Sequence, residues 1–207
     1  MHHNNSILIK LAKIISTLFH PLLMPTLGLL VIFSLNSHIT YIPFEYRKYI
    51  TLVIFVSTFV LPLSIMPLFY QLGVIKSIQM EKPKERIIPL ITTSFFFALG
   101  YLFLTRFQLP SFIASFYSGT LTAVVCALLI TLFWKISIHM VGVGGVVGAL
   151  LAISLKYGVN TLVMLTFCVF VAGLIGTARL KLNAHNPKQV YAGFALGLFS
   201  LLVASFV

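Results

Sequence analysis

The chain has 207 residues, of which 59% are hydrophobic and only 8% are charged, and its mean hydropathy is +1.07. Soluble domains carry about 25% charged residues, so this composition excludes an ordinary soluble protein and predicts an integral membrane protein. Fourteen basic and three acidic residues give a formal net charge of +11. Because the cations are scattered between apolar stretches, we expect anionic membrane lipids and lipid phosphates as partners, and no nucleic acid.

The chain begins with a segment, residues 1–18, in which Lys10 and Lys13 lie among apolar residues, a pattern typical of a short helix at the membrane interface. Seven apolar stretches follow, each close to the twenty or so residues that one crossing requires. They cover residues 19–36, 50–73, 90–106, 114–134, 137–156, 159–178 and 189–207. We therefore predict an all-α, polytopic helix bundle that forms one membrane domain over residues 1–207, with the bundle itself at about 19–207.

Counting these crossings places the N-terminus and three polar loops, at residues 74–89, 135–138 and 179–188, on the same side of the membrane. Most of the Lys and Arg residues lie on that side, which would make it cytoplasmic. However, cations that bind a ligand are not evidence of orientation, and without the candidate ligands the two sides are nearly balanced. The compartment that these loops face therefore stays open, as does the oligomeric state.

The three loops contain the residues that hydrolysis of a phosphate ester requires. Such a reaction needs donors for the phosphate oxygens, a nucleophile, and an acid that protonates the leaving oxygen. Imidazole can fill the last two roles because it titrates near neutral pH. We predict His185 as the nucleophile, through a phosphohistidine, and His139 as the acid. The predicted phosphate ligands are the neighbouring polar residues Arg179, Arg86, Lys82 and Ser137.

The last polar loop resembles the third motif of the type 2 phosphatidic acid phosphatase superfamily, which includes lipid phosphate phosphatases and vanadium haloperoxidases. That motif is Ser-Arg-x5-His-x3-Asp, and here Arg179 is followed at the same spacing by His185 and Gln189. The segment Gln189-Val-Tyr-Ala-Gly193 is also similar to the helix that follows this motif. The resemblance extends from about residue 76 to the end of the chain.

The other two motifs of the superfamily are matched less closely. Pro-Ser-Gly-His is similar to Ile136-Ser137-Ile138-His139, which retains the serine and the histidine. Lys-x6-Arg-Pro is similar in residue types, but not in spacing, to the basic loop that contains Lys82 and Arg86. The resemblance implies the roles already given to these residues, catalysis without a metal or other cofactor, and six core spans. The first of the seven stretches would then be an extra N-terminal span.

Gln189 stands where the superfamily has an aspartate that orients the nucleophilic histidine. A glutamine oxygen can accept the same hydrogen bond but supplies no negative charge. In the serine-protease triad, the change of aspartate to its amide lowers turnover about 10⁴-fold, largely through the histidine tautomer. Glu81 or Glu85 could replace the missing carboxylate.

Three functions are compatible with these residues. The first is a metal-independent phosphatase acting on a lipid phosphate, such as phosphatidic acid or phosphatidylglycerol phosphate, or on an isoprenoid diphosphate. The second is a weakened or inactive relative that binds or translocates anionic lipids. The third, an ion or solute transporter, is disfavoured because the predicted spans are almost free of charge. The expected location is a bacterial inner membrane. We interpret His20 and His38 as interfacial anchors, and the glycines between Gly142 and Gly148 as a helix-packing face.

Overall fold

The computed structural model describes residues 2–35, 37, 41–77, 80 and 82–207, with the side chains of residues 2–5 excepted. Glu81 and His38 lie outside the described residues, so the roles predicted for them are not addressed below. The described chain is helical, and it consists of α1 (His2–Leu18), α2 (Met24–Phe33), α3 (Phe44–Phe55), a π-helical turn (Val56–Val60), α4 (Leu61–Ser64), α5 (Met66–Gln71), α6 (Pro83–Leu104), α7 (Ser111–Thr131), α8 (Ile138–Tyr157), α9 (Leu162–Lys181) and α10 (Pro187–Ala204).

Within the described residues, six helical stretches are long and apolar enough to cross a membrane. The first is the continuous segment Phe44–Gln71, which contains α3, the π-helical turn, α4 and α5, and the others are α6 to α10. The predicted all-α membrane bundle is confirmed, and the protein is an integral membrane protein.

The predicted extra span at residues 19–36 differs from the other six. Its helix, α2, has 10 residues and is therefore about 15 Å long, half the thickness of a hydrocarbon core. The segment nevertheless follows α8 lengthwise, since His20 lies against His139, Gly28 against Val146, and Ile32 near Ile153. The prolines at positions 21 and 25 explain the short helix, because a proline is tolerated in its first turn but not in its interior.

The basic segment at residues 82–86 was predicted as a loop, but most of it belongs to a helix. α6 begins at Pro83, and Glu85 and Arg86 lie in its first turn. Proline at the first helical position and an acidic residue in the first turn both favour a helix start. Arg179 likewise lies in the last turn of α9 rather than in the following loop. Both arginines are therefore held by helix ends.

The central helix of the bundle is α8, which packs most extensively against α10 and α9 and is 67% buried over its apolar length. Glycines allow α8 and α10 to approach closely. A Cβ atom at Gly144 or Gly148 would collide with the α10 backbone at Phe194 or Leu198, and one at Gly197 would collide with the α8 backbone. The predicted packing role of the α8 glycines is thus confirmed.

The bundle has two polar ends. At the histidine end, defined as residues 16–23, 82–86, 135–139 and 179–189, the Ser137 backbone N–H donates to the carbonyl oxygen of Gln189 at 3.3 Å. At the opposite end, defined as residues 41–48, 104–111, 156–161 and 204–207, the Tyr46 hydroxyl donates to the Gln108 carbonyl at 3.1 Å. The predicted site residues all lie at the histidine end.

Candidate active site

The start of α10 positions His185 and Gln189. Asn186 caps this helix, accepting a hydrogen bond from the Gln189 backbone N–H at 3.0 Å, while the Gln189 side-chain oxygen accepts the Asn186 N–H at 3.2 Å. This capping box, followed by Pro187 in the first turn, determines where the helix begins. His185 lies immediately before the cap and is 8% exposed, so its ring is fixed by the helix start.

Gln189 sets the tautomer of His185. Its Oε1 lies 3.0 Å from the His185 Nδ1, and the same atom accepts the Asn186 backbone N–H, a group that can only donate. The atom facing Nδ1 is therefore an oxygen, and Nδ1 must carry a proton to bond with it. In the neutral ring the lone pair then belongs to Nε2, which is the form that a nucleophilic histidine needs.

Burial keeps His185 neutral. It is the largest cause lowering the pKa of His185, from 6.5 to about 3, and it outweighs the opposite effect of the Gln189 hydrogen bond. The nearby cations Arg86, Arg179 and Lys135 lower this pKa further. A neutral imidazole with a buried lone pair among these cations is suited to attack an anionic ester, because the negative charge of the ester would balance the charge of the cations.

The first turn of α8 supplies Ser137 and His139. Ser137 precedes the helix and is fully buried, and its hydroxyl oxygen has no hydrogen-bond partner. The His139 Nε2 lies 3.1 Å from the carbonyl oxygen of Ser16. Because a carbonyl only accepts, Nε2 carries the proton. The other ring nitrogen, Nδ1, is therefore the one that can gain or lose a proton.

Two arginines converge on the histidines. Arg179 donates a hydrogen bond from Nη1 to the Ser16 hydroxyl at 3.3 Å, but its Nε is buried and has no hydrogen-bond partner among the described residues. Arg86 donates from Nε to the Met80 carbonyl at 2.8 Å. The two guanidinium groups are close enough to repel each other, and neither forms an ion pair with a described carboxylate. A buried donor without a partner is costly, and an anion beside Arg179 would satisfy its Nε.

Lys82 and Glu85 are placed differently from these residues. Lys82 precedes α6, and its exposed side chain makes no hydrogen bond or ion pair with another described residue. Glu85 lies close enough to Arg86 to stabilise its charge, but the hydrogen-bond partner of His185 is Gln189. Glu85 therefore does not replace the carboxylate that is missing at position 189.

Ser16 and His20 belong to the cluster, although the sequence analysis did not predict either as a site residue. The carbonyl and hydroxyl of Ser16 bond to His139 and Arg179, and the His20 ring lies edge-to-face against that of His139, with 6.1 Å between centroids. His20 is therefore packed in the site rather than exposed as an anchor. Its predicted location on the same side as the polar loops was the available signal.

The cluster can bind an anion and transfer a proton. It combines three imidazoles, two guanidinium groups and two serine hydroxyls, and its described part contains no group of three metal-ligating side chains placed to hold an ion. Comparison of the chain with protein-family models, curated proteins and solved structures finds no match.

Proposed function

We propose that this protein is a metal-independent phosphatase that hydrolyses a lipid phosphate or an isoprenoid diphosphate through a phosphohistidine at His185. The observation that carries the proposal is the bond from His185 Nδ1 to Gln189, which leaves the Nε2 lone pair free to act as a nucleophile. Two arginines that form no ion pair with a described carboxylate lie near it. The motif spacing from Arg179 to Gln189, similar to that of the type 2 phosphatidic acid phosphatases, supports the same chemistry.

The phosphate group would bind among the polar atoms that lack partners. Arg179 Nε and the Ser137 hydroxyl are both buried and unsatisfied, and both can donate to phosphate oxygens. Arg86 adds positive charge from the start of α6. Arginine suits this role because its planar fork matches two phosphate oxygens. These groups would also stabilise the charge that spreads over the oxygens in the transition state.

In the first half-reaction the His185 Nε2 lone pair forms a P–N bond while the bond from phosphorus to the leaving oxygen breaks. Protonated His139 gives its proton to that oxygen. In the second half-reaction water attacks phosphorus, the P–N bond breaks, and His139 takes the proton of the water. The ring of His185 is then neutral again, and inorganic phosphate leaves.

A lipid substrate fits the position of the cluster. The histidines lie at one end of a bundle whose spans are apolar, so a phosphate headgroup can enter while its hydrocarbon tail remains in the bilayer. We propose a bacterial inner membrane as the location, since helical spans of this kind are the form in which proteins cross such a membrane.

The test is phosphate release by the purified protein in detergent, with a chelator present, from phosphatidic acid, phosphatidylglycerol phosphate and an isoprenoid diphosphate. We expect His185→Ala to lower the rate about 1,000-fold or more, as loss of a nucleophile does elsewhere. Tyr191→Ala is the matched control, because Tyr191 is exposed on the same helix, and it should retain activity. An acid-labile phosphate on His185 should appear during turnover. Equal release by the native chain and His185→Ala would refute the nucleophile.

A second function is favoured by one observation at Gln189. This residue carries no charge, and its side chain also caps α10, so it has a structural role that does not require catalysis. The cluster could then bind or translocate an anionic lipid without hydrolysing it. Lipid phosphate binding that is lost in Arg179→Met, with no phosphate release from any of the three substrates, would identify this function.

A further inference from the structure

The last turn of α1 forms a wall of the cluster. Ser16 is 8% exposed, although its neighbours Lys13 and Thr17 are exposed. The helix packs along α9 and ends at Leu18. The Ser16 carbonyl is therefore one of the four terminal carbonyls that have no partner within the helix. This end of a helix also carries partial negative charge.

Ser16 contacts two of the predicted site residues at once. Its carbonyl oxygen accepts a hydrogen bond from His139 Nε2 at 3.1 Å, and its hydroxyl oxygen accepts one from Arg179 Nη1 at 3.3 Å. Both contacts join residues more than 120 positions apart in sequence. No described carboxylate forms an ion pair with Arg179, so the end of α1 supplies the partial negative charge that the guanidinium faces.

His20 continues the same wall. Its Nδ1 accepts the backbone N–H of Leu22 at 3.3 Å, which places the proton of its neutral ring on Nε2. The ring packs edge-to-face against His139 and Phe59. Burial, followed by the charge of Arg179, lowers the pKa of His20. His20 is thus a neutral ring that confines His139 on the side of the N-terminal segment.

We propose that the segment from Ser16 to His20 forms part of the phosphate site, in which Ser16 is a positioning residue for His139 and Arg179. The Ser16 carbonyl holds the proton on Nε2 of His139, so that Nδ1 is the atom that exchanges a proton with the ester. The Ser16 hydroxyl orients the Arg179 guanidinium toward the phosphate. This inference rests on the proposed function for its proton step, but not for its phosphate-binding step.

The proton balance follows from the two nitrogens of His139. The bound phosphate supplies negative charge, and His139 enters the reaction with protons on both nitrogens. The Nδ1 proton passes to the leaving oxygen as the P–O bond breaks, and Nδ1 then takes a proton from the attacking water. The other proton stays on Nε2 throughout, hydrogen-bonded to the Ser16 carbonyl oxygen.

The first test measures the tautomer directly. Nitrogen NMR spectra of the full chain in detergent, with histidine labelled on both ring nitrogens, should show the proton of neutral His139 on Nε2. His139→Gln identifies the signal by its loss. Assignment of the proton to Nδ1 would overturn the proposed role of the Ser16 carbonyl, whatever the protein hydrolyses.

The second test compares two adjacent hydroxyls of α1. Ser16→Ala removes the bond to Arg179, whereas Thr17→Ala removes a hydroxyl that bonds to Lys13 of its own helix. Calorimetric titration with inorganic phosphate should show affinity about 3- to 10-fold lower for Ser16→Ala, as loss of one hydrogen bond implies. Ser16→Thr, which retains the hydroxyl, should restore it. Thr17→Ala should bind as the native chain does.

The outcomes separate this inference from the proposed function. If Ser16→Ala weakens phosphate binding and no lipid phosphate is hydrolysed, the role of the Ser16 hydroxyl in phosphate binding is supported and the catalytic proposal is refuted. If the native chain hydrolyses lipid phosphates but Ser16→Ala and Thr17→Ala behave alike, the catalytic proposal stands and the role of the Ser16 hydroxyl is refuted.

Discussion

The cations at the two polar ends of the bundle differ in whether they have hydrogen-bond or ion-pair partners. At the opposite end, Arg47 donates to the Ile42 carbonyl at 2.9 Å and lies over the Phe33 ring, Lys48 pairs with Glu45 at 3.2 Å, and Lys156 donates to the Ser205 carbonyl. At the histidine end, Arg179 has a buried Nε without a partner and lies close to Arg86.

This difference separates cations whose partners lie within the protein from cations that, under the proposed function, bind a ligand. A buried donor without a partner destabilises a protein, and in the proposed function a bound anion satisfies the Nε of Arg179. At the opposite end, Arg47, Lys48 and Lys156 all have partners within the described residues. Under the proposed function, a bound anion would supply the missing partner at the histidine end, and each of the following experiments tests that distinction.

The largest expected effect concerns the proton affinity of His185. Its pKa, lowered from 6.5 to about 3 chiefly by burial, corresponds to proton binding about 3,000-fold weaker than in the unfolded chain. Between pH 6.5 and pH 3 the unfolded chain therefore binds more protons than the folded protein. As a result, the contribution of His185 to the free energy of unfolding is most favourable above pH 6.5 and is lost as the pH falls from 6.5 toward 3. NMR titration should find His185 neutral at pH 5, and added inorganic phosphate should raise its pKa. If His185 titrated near pH 6.5 in the absence of phosphate, the proposed effect of burial on its pKa would be wrong.

Arg179→Met and Arg47→Met should have opposite effects. Loss of Arg179 removes charge-assisted bonds to the anion, and we expect phosphate affinity to fall about 100-fold while the melting temperature stays the same or rises. Loss of Arg47 should lower the melting temperature and leave phosphate affinity unchanged, because its bonds are internal. Calorimetric titration and thermal unfolding measure the two quantities. A similar loss of affinity in both variants would erase the distinction between the ends.

Gln189→Glu should raise turnover about 10-fold. The carboxylate has the same reach, so it keeps the bonds to His185 and to the Asn186 N–H, and its charge is favourable both at a helix N-terminus and beside the cation that forms on His185. Gln189→Met is the matched control, since it has similar length but no acceptor, and it should lose activity. The initial rate of phosphate release measures both. A rate for Gln189→Glu no higher than that of the native chain would show that charge at this position does not limit the reaction.

The smallest effect is expected for Lys82→Ala. The side chain of Lys82 is exposed and makes no hydrogen bond or ion pair with a described residue, so we expect it to act on the anion only through screened, long-range attraction. We expect less than about a 3-fold loss of phosphate affinity, which should disappear at high salt. A larger loss that persists in salt would mean that Lys82 folds over the bound anion.

Much of the fold follows from hydrophobicity alone. Each of the six spans contains a long apolar stretch, and the α8 glycines recur at the four-residue spacing of close helix packing. The boundaries were less predictable. Apolarity does not reveal that prolines delay the start of α2, or that Pro83 and Glu85 extend α6 into a segment that is charged enough to resemble a loop.

The candidate site was predictable where it is local in sequence. His185 and Gln189 are four residues apart, and a helix start brings them together. The contact of Ser16 with His139 could not be predicted, because a backbone carbonyl, which every residue has, makes it across 123 positions. The pairing of Gln189 with the Asn186 N–H has a local signature, Asn followed three residues later by Gln, and the capping box could have been found from it.

The glycine contacts between α8 and α10 have an evolutionary consequence. Because backbone meets backbone at Gly144, Gly148 and Gly197, the offset between the helix starts that present His139 and His185 is built into the main chain. The residues with candidate chemistry lie beyond that interface, at the helix ends. Substitutions among them can change or abolish a reaction while the scaffold persists. The same packing of α8 and α10 is therefore compatible with a different function of the proposed anion site.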